Sequence, residues 1–405
     1  MRVMSAVKVR MNLILEWPVE QQGVDMVRDE AETVLRAWHA YEIRRGCSPV
    51  IDFDCHPVDT DVEPAESRLD VHRRLSELRD RADEGVAERL DADIAYLGSL
   101  LGERRPLTEY VQVTQGCGAA GWSAEYVLER GEQAREALAA LGVGWGPGTG
   151  DELNEVEGPL GLDEAPDAIR KASDQLEAAV REATGSVAPF ELDIETAHVD
   201  AYWAYWLDGA GHRVRLRLNL RNAVFTEVGA RRFALHEVLG HGLQSSSWTE
   251  AAKVPAPWIR LMSVHALQQV LLEGLAQALP LFVTPDDEAL IARIRLDHFI
   301  QLVRAELHLG LEDGLPIREL AAHARSRIPW WSDAVIADTL TDRGDPQLRT
   351  YLWSYPAGID WFVHLADADP ETRRKVLHAA YSKPLTPADL VSLWPDGPQI
   401  GGPGR

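Results

Sequence analysis

Apolar residues recur at helical spacing through most of the chain and alternate strictly in one stretch only. Residues 19–45 carry Val24, Val27, Ala31, Val34, Leu35 and Trp38 near a 3.6-residue period, which predicts an amphipathic helix. Residues 1–17 alternate weakly and read as a strand. From Ser67 to Leu101 the pattern is helical again, with Leu69, Leu75, Leu78, Val86, Leu90, Ile94 and Leu97 as its core stripe. Tyr110 to Thr114 is strand-like. Ser123, an N-cap residue type, opens a helix running to Leu141. Another covers 165–184, with Ile169, Leu176, Ala179 and Val180 on its apolar side and Gly185 as its stop. Further helices are predicted over 286–309, 316–328 and 333–341.

The period changes in residues 198–221. Tyr202, Tyr205 and Trp206 lead into Asp208-Gly209-Ala210-Gly211, after which Val214 to Leu220 alternates residue by residue. That is a β-hairpin signal. An exposed edge there would pair with an extended substrate. Residues 61–66 read as a linker, 151–164 as an acidic loop and the Pro/Gly-rich end, 396–405, as a disordered tail. The expected organisation is mainly α: an N-terminal strand and helix (1–62), a helical lobe (63–195) and a second lobe (196–395), with a small hairpin or sheet beside its central helix.

Composition narrows the partners. The chain has 405 residues, 64 acidic against 41 basic, and a net charge of −23. Such a surface is not attracted to nucleic acid or to anionic membranes. Three cysteines make no disulfide framework, and no apolar run is long enough to span a bilayer. The patch Met11 to Leu15 ends at Glu16 with no small-residue cleavage site after it, so a cytoplasmic location is expected.

Chemistry concentrates in Phe233-Ala234-Leu235-His236-Glu237-Val238-Leu239-Gly240-His241-Gly242. The zinc-protease pattern H-E-x-x-H sets two ligands one helical turn apart, with a general base beside the first. Here the second histidine comes one residue late. In a regular α-helix, residues five apart point roughly 140° apart around the axis, and one ion cannot bind both rings. A π-bulge absorbs the extra residue, and Gly240 is where the backbone yields most easily. The stretched pattern is therefore either chance, with both histidines satisfied in the core, or a bulged metal helix. Glu273, a lone carboxylate in the apolar run Val270 to Gln277, favours the second. Two histidines and a glutamate make a three-ligand set for one Zn²⁺, with a fourth position left for water.

Other candidates are weaker. Asp52, Asp54 and His56 alternate on one side of an extended segment as a conceivable second metal site, but a solvated acidic loop explains them better. His298 and His308 are spare ligands. Gly116 to Gly121 matches G-x-G-x-x-G, yet no second parallel strand follows its helix, so it reads as a glycine-rich connection between helices. Residues 349–362 are unusually aromatic and read either as packing around a proline-broken helix or as a wall of the site. In the second case Tyr355, then Tyr351, would donate to an oxyanion, and Arg349 would hold a substrate carboxylate bidentately.

On these residues the chain resembles zinc metallopeptidases with a stretched motif. H-E-x-x-G-H resembles dipeptidyl peptidase III, and H-E-x-x-x-H resembles the tubulin tyrosine carboxypeptidases. The broader resemblance is to bacterial helical peptidase-like proteins with H-E-x-x-P-G-H-H-L-Q followed by E-G-W-A, here His236 to Gln244 and Glu273-Gly274-Leu275-Ala276. It extends to Arg304-Ala305-Glu306-Leu307 and to the stretch around Tyr351 and Pro356. The proline of that motif is missing here, and Gln277 stands where many such enzymes keep an acidic group. The resemblance implies a helical, two-lobed peptidase-like fold, with His236, His241 and Glu273 as ligands, Glu237 as base and a peptide or small amide as substrate. The alternatives are a biosynthetic enzyme reusing the scaffold on a non-peptide substrate, or an inactive metal-binding protein.

Overall fold

The computed structural model describes residues 19–59, 61–198, 205–221, 224–254, 256–345 and 348–405. The strand expected in 1–17, and Tyr202 of the hairpin, lie outside them. The fold is mainly α with a small mixed sheet.

The first helix, Val19–Arg44, packs with Arg68–Arg79 and Glu84–Leu100 around Trp38, Leu75, Leu90 and Leu97. The stretch read as one helix from Ser67 is thus two. The Asp83 side chain accepts from the Val86 amide and caps a new N-terminus, which interrupts the run. Leu69, expected in the core, lies on the solvent side at 68% exposure, one position into the first of the two helices.

Helix Leu107–Gln115 replaces the strand expected at 110–114. Leu107, Tyr110, Val111 and Thr114 fall at i, i+3, i+4 and i+7 on one buried face, and Gly116 ends the helix at φ 68°. Ala124–Ala140 follows, capped by Ser123 as expected, so the glycine-rich segment does join two helices. Thr149–Glu157 is helical where an acidic loop was expected: Leu153 and Glu157 are buried on it, and Glu157 takes Arg293 at 2.7 Å. Ala165–Thr184 ends at Gly185, at φ 70°.

Strands Phe53–Asp54 (β1), Glu191–Ala197 (β2), Tyr205–Ala210 (β3), Arg213–Asn219 (β4) and Leu261–Met262 (β5) form one sheet in the order β2-β4-β3-β1-β5. β3 and β4 are the expected hairpin, antiparallel with Gly209 opposite Val214. β4 is interior, flanked by β2 and β3, whereas β3 meets β1 only at Gly209 and Ala210. Tyr205 to Asp208 therefore have no strand partner on that side among the described residues, and Tyr205, Trp206 and Leu207 border a cavity of about 480 Å³. β1 and β5 are too short to show as alternation, whereas β2 does alternate, with Leu192 and Ile194 between Glu191, Asp193 and Glu195, and was overlooked.

The remaining helices wrap the segment 227–251, which runs as Glu227–Phe233, Ala234–Gly242 and Leu243–Ala251. Helix Tyr351–Ala366 passes through Pro356 unbroken, in place of the proline-broken helix expected; Pro356 only forfeits its own amide bond to Leu352. This helix crosses Gln269–Ala278 so closely that a Cβ on Gly274 would stand 2.5 Å from backbone atoms of Gly358. Gly274→Ala should therefore destabilise by about 1–3 kcal/mol, read as a lowered thermal midpoint with cooperativity retained. The tail is ordered, contrary to expectation. Ile400 is buried, and the Gly121 backbone donates to Gly401 and accepts from Gly404.

Candidate metal centre

Residues Ala234–Gly242 form a π-helix. In an i→i+5 ladder, residues five apart stack as residues four apart do in an α-helix. His236 and His241 accordingly lie on one side, with ring centroids 4.7 Å apart and planes at 86°. Gly240 permits this: a Cβ there would stand 2.7 Å from the Leu235 carbonyl and 2.9 Å from Ala276 Cβ. The Tyr381 hydroxyl donates to the Leu239 carbonyl at 2.7 Å and braces the distorted turn. Gly242 lies against Val214 of β4, where a Cβ would meet it at 2.8 Å. The sheet floors the motif.

Glu273 comes from the neighbouring helix Gln269–Ala278. Nε2 of His236 and Nε2 of His241 are 3.2 Å apart, and Glu273 Oε2 lies 3.5 Å from the first and 3.8 Å from the second. The corners of a triangle with those sides stand about 2.0 Å from a common centre, close to the distances zinc takes from histidine nitrogen and carboxylate oxygen. Among the described residues this is the one group of three or more side chains spaced to hold a metal. The two oxygens of Glu273 differ. Oε1 accepts from the Tyr351 hydroxyl at 2.7 Å, while Oε2 is buried with no hydrogen-bond partner. A buried carboxylate oxygen without a donor is costly, and a cation at the common centre relieves it. The residues present fit a zinc ion.

The electrostatics agree. Burial pulls His241 down to about 4, with the neighbouring His236 adding and Glu273 opposing, so its imidazole is neutral. Burial pushes Glu273 up, but the imidazoles of His236 and His241 beside it and the Tyr351 hydroxyl outweigh that, and it stays ionised. These are the forms in which such groups ligate. His236 is raised: burial lowers it, and the nearby carboxylates of Glu273 and Glu237 override the burial. Glu237 is buried and pushed up to about 7, by burial first, with His236 opposing and Glu273 adding.

The centre separates two cavities, of about 510 Å³ and about 480 Å³, whose shared walls are Tyr205, His236, Glu237, Asp342 and Tyr355. Tyr355 lines both cavities together with Glu237. Its hydroxyl is 2.6 Å from that of Tyr351, and burial holds both phenols well above their ordinary values, so both remain neutral donors. Tyr351 lines the cavity of about 480 Å³ and gives its one proton to Glu273, which makes it a positioning residue for that carboxylate. Arg349 is not brought to the site. Its guanidinium is taken by Glu312 and the Arg105 carbonyl and lies over the Tyr110 ring.

The weaker candidates also fall elsewhere. Asp54 pairs with Arg36 at 3.0 Å, His298 with Asp360 at 2.9 Å, and His308 is buried against Trp353. Asp52 alone of its group lines a cavity, the smaller one, with Phe53, Met262 and Leu272. Gln277, where an acidic group was looked for, donates to the Glu273 carbonyl at 2.9 Å. Sequence reasoning missed Arg232, Arg304 and Arg343 on the larger cavity. Arg304 carried a signal, as a lone cation in the apolar helical run Leu302 to Ala305, the same signal that drew attention to Glu273.

No protein-family model matches the chain, and no curated protein does. Among solved structures it is similar to a candidate lipoprotein from Colwellia psychrerythraea, at 14% identity and a TM-score of 0.49 over 82% of this chain. The chain spans 58% of that protein's length. It is also similar to metallocarboxypeptidase 1 of Trypanosoma cruzi, at 11% identity and a TM-score of 0.37, covering 94% of this chain and 96% of the other. No helix of the described residues is long and apolar enough to cross a membrane.

Proposed function

We propose that the protein is a zinc-dependent hydrolase that cleaves a peptide or amide bond with Glu237 as general base. One observation carries the reading: three donor atoms from two helices surround a single point at metal-ligand distance, and the carboxylate among them has an oxygen with no other partner. Zinc held by His236, His241 and Glu273 would supply Lewis acidity and lower the pKa of water beside it to about 7. Glu237 follows a ligand directly on the π-helix and faces both cavities, so its carboxylate is placed to take a proton from water and return it to the leaving amine. Tyr355, neutral and on both cavities with Glu237, would turn its one proton from the Tyr351 oxygen to the oxygen on which negative charge develops. Tyr351 holds the carboxylate of Glu273 in register.

A digest of a peptide library by zinc-loaded protein, with Glu237→Gln alongside, tests this. Fragments that appear with the wild type and not with the variant support it; an intact library, or equal cleavage by both, refutes it. Tyr355→Phe should lower kcat about 10²- to 10³-fold with KM and zinc content nearly unchanged, measured by steady-state kinetics and metal analysis.

A further inference from the structure

Two guanidiniums on the cavity of about 510 Å³, those of Arg304 and Arg343, have no carboxylate at ion-pair distance among the described residues, although Asp342 lies close enough to act on both. Arg343 is buried at 5% exposure, and its one hydrogen bond is to the Thr339 carbonyl, at 3.4 Å. Arg304 lies over the Trp331 ring, with its centre 5.7 Å away and a buried Nε that has no partner. Neither makes an ion pair with any described residue. Elsewhere in this protein buried or nearly buried arginines are paired: Arg89 with Asp93 at 3.2 Å, Arg260 with Glu32 at 2.7 Å and Arg293 with Glu157 at 2.7 Å. Of the acidic groups on the same cavity, Asp297 is taken by Arg232 at 3.2 Å, while Asp338 and Asp342 make no ion pair with either arginine. Burial, then the Arg304 charge, pull Arg343 down to about 9, with Asp342 opposing, the direction expected of two cations held together out of water. A buried charge is ordinarily neutralised by a partner. Here the open space beside the two guanidiniums is bounded by His236, Glu237 and Tyr355.

We propose that Arg304 and Arg343 bind a carboxylate of the substrate, so that the protein acts on peptides or amides carrying a free acid close to the bond to be broken. The inference rests on the hydrolase reading above and gives it a substrate class. Planar guanidiniums suit a carboxylate, and a cavity of about 510 Å³ has room for the residue that bears it. The acid is either the chain's terminal carboxylate or an aspartate or glutamate side chain, and the two are told apart experimentally.

The probes are N-acetyl dipeptide pools in three forms: free acids without acidic side chains, their C-terminal amides, and amides that contain one glutamate. Binding to zinc-loaded, full-length Glu237→Gln protein is measured by calorimetry. An acid-bearing pool should bind about 10- to 100-fold more tightly than the plain amides. Preference for free acids identifies the terminus, and preference for glutamate amides the side chain. Arg343→Gln and Arg304→Gln, each added to that protein, should abolish the preference without lowering zinc content. Because each removes an unpaired buried charge, each should also leave the thermal midpoint unchanged or raised, whereas loss of a structural ion pair would lower it. Equal binding of all three pools, no binding by any, or a preference that survives both arginine variants overturns the proposal. Acid-selective binding by a protein that cuts nothing in the library would leave the subsite standing and refute the hydrolase reading.

Discussion

Glu237→Gln should bind zinc as the wild type does and lose about 10²- to 10⁴-fold in kcat, the usual share of a general base. The amide keeps the shape of the carboxylate and removes its ability to accept a proton from water. Glu237 is not among the three converging atoms, so the donor set for the ion survives the change. Burial also makes the substitution mild for folding: the side chain is already 95% enclosed, and a neutral amide costs less there than an ion. Steady-state kinetics and metal analysis on the same preparation check both halves. Turnover within a few-fold of wild type would remove Glu237 from the mechanism.

His241→Ala is expected to have the larger effect. Two of the three donors remain, but the ring that closes the triangle is lost, and Glu273 Oε2 keeps only His236, at 3.5 Å. Zinc should fall from one equivalent per chain to a small fraction of one, and turnover to background. The fold should persist, because the helix through His241 is held by contacts that do not involve its ring: Gln244 and Trp248 both donate to the Ala380 carbonyl, at 3.1 and 2.9 Å, and Tyr381 donates to the Leu239 carbonyl. Circular dichroism should therefore match the wild type while metal content does not. Full zinc occupancy in this variant would mean that the ion lies elsewhere.

Much of this site was legible in the amino-acid pattern because costs of burial show there. A carboxylate inside Val270 to Gln277 demands a partner, and two histidines five apart demand a distorted helix; the π-helix at Ala234–Gly242 meets the second demand. The N-cap at Ser123 was legible for the same local reason. What depends on distant neighbours was not. Tyr110 to Thr114 has β-type residues, but Leu107 upstream and Gly116 downstream complete a helical face that a five-residue window misses. Arg349 looked free to meet a substrate because Glu312, its partner, lies 37 residues away on another helix. Arg343 was overlooked because only the packed structure reveals that no carboxylate among the described residues comes within ion-pair distance of it.

The most direct measurement is X-ray absorption and anomalous diffraction at the zinc edge on protein purified without added metal. The prediction is one ion per chain, about 2.0–2.2 Å from Nε2 of His236, Nε2 of His241 and Oε2 of Glu273. A protein free of metal that also fails to take up zinc, or an ion bound by other side chains, would contradict it.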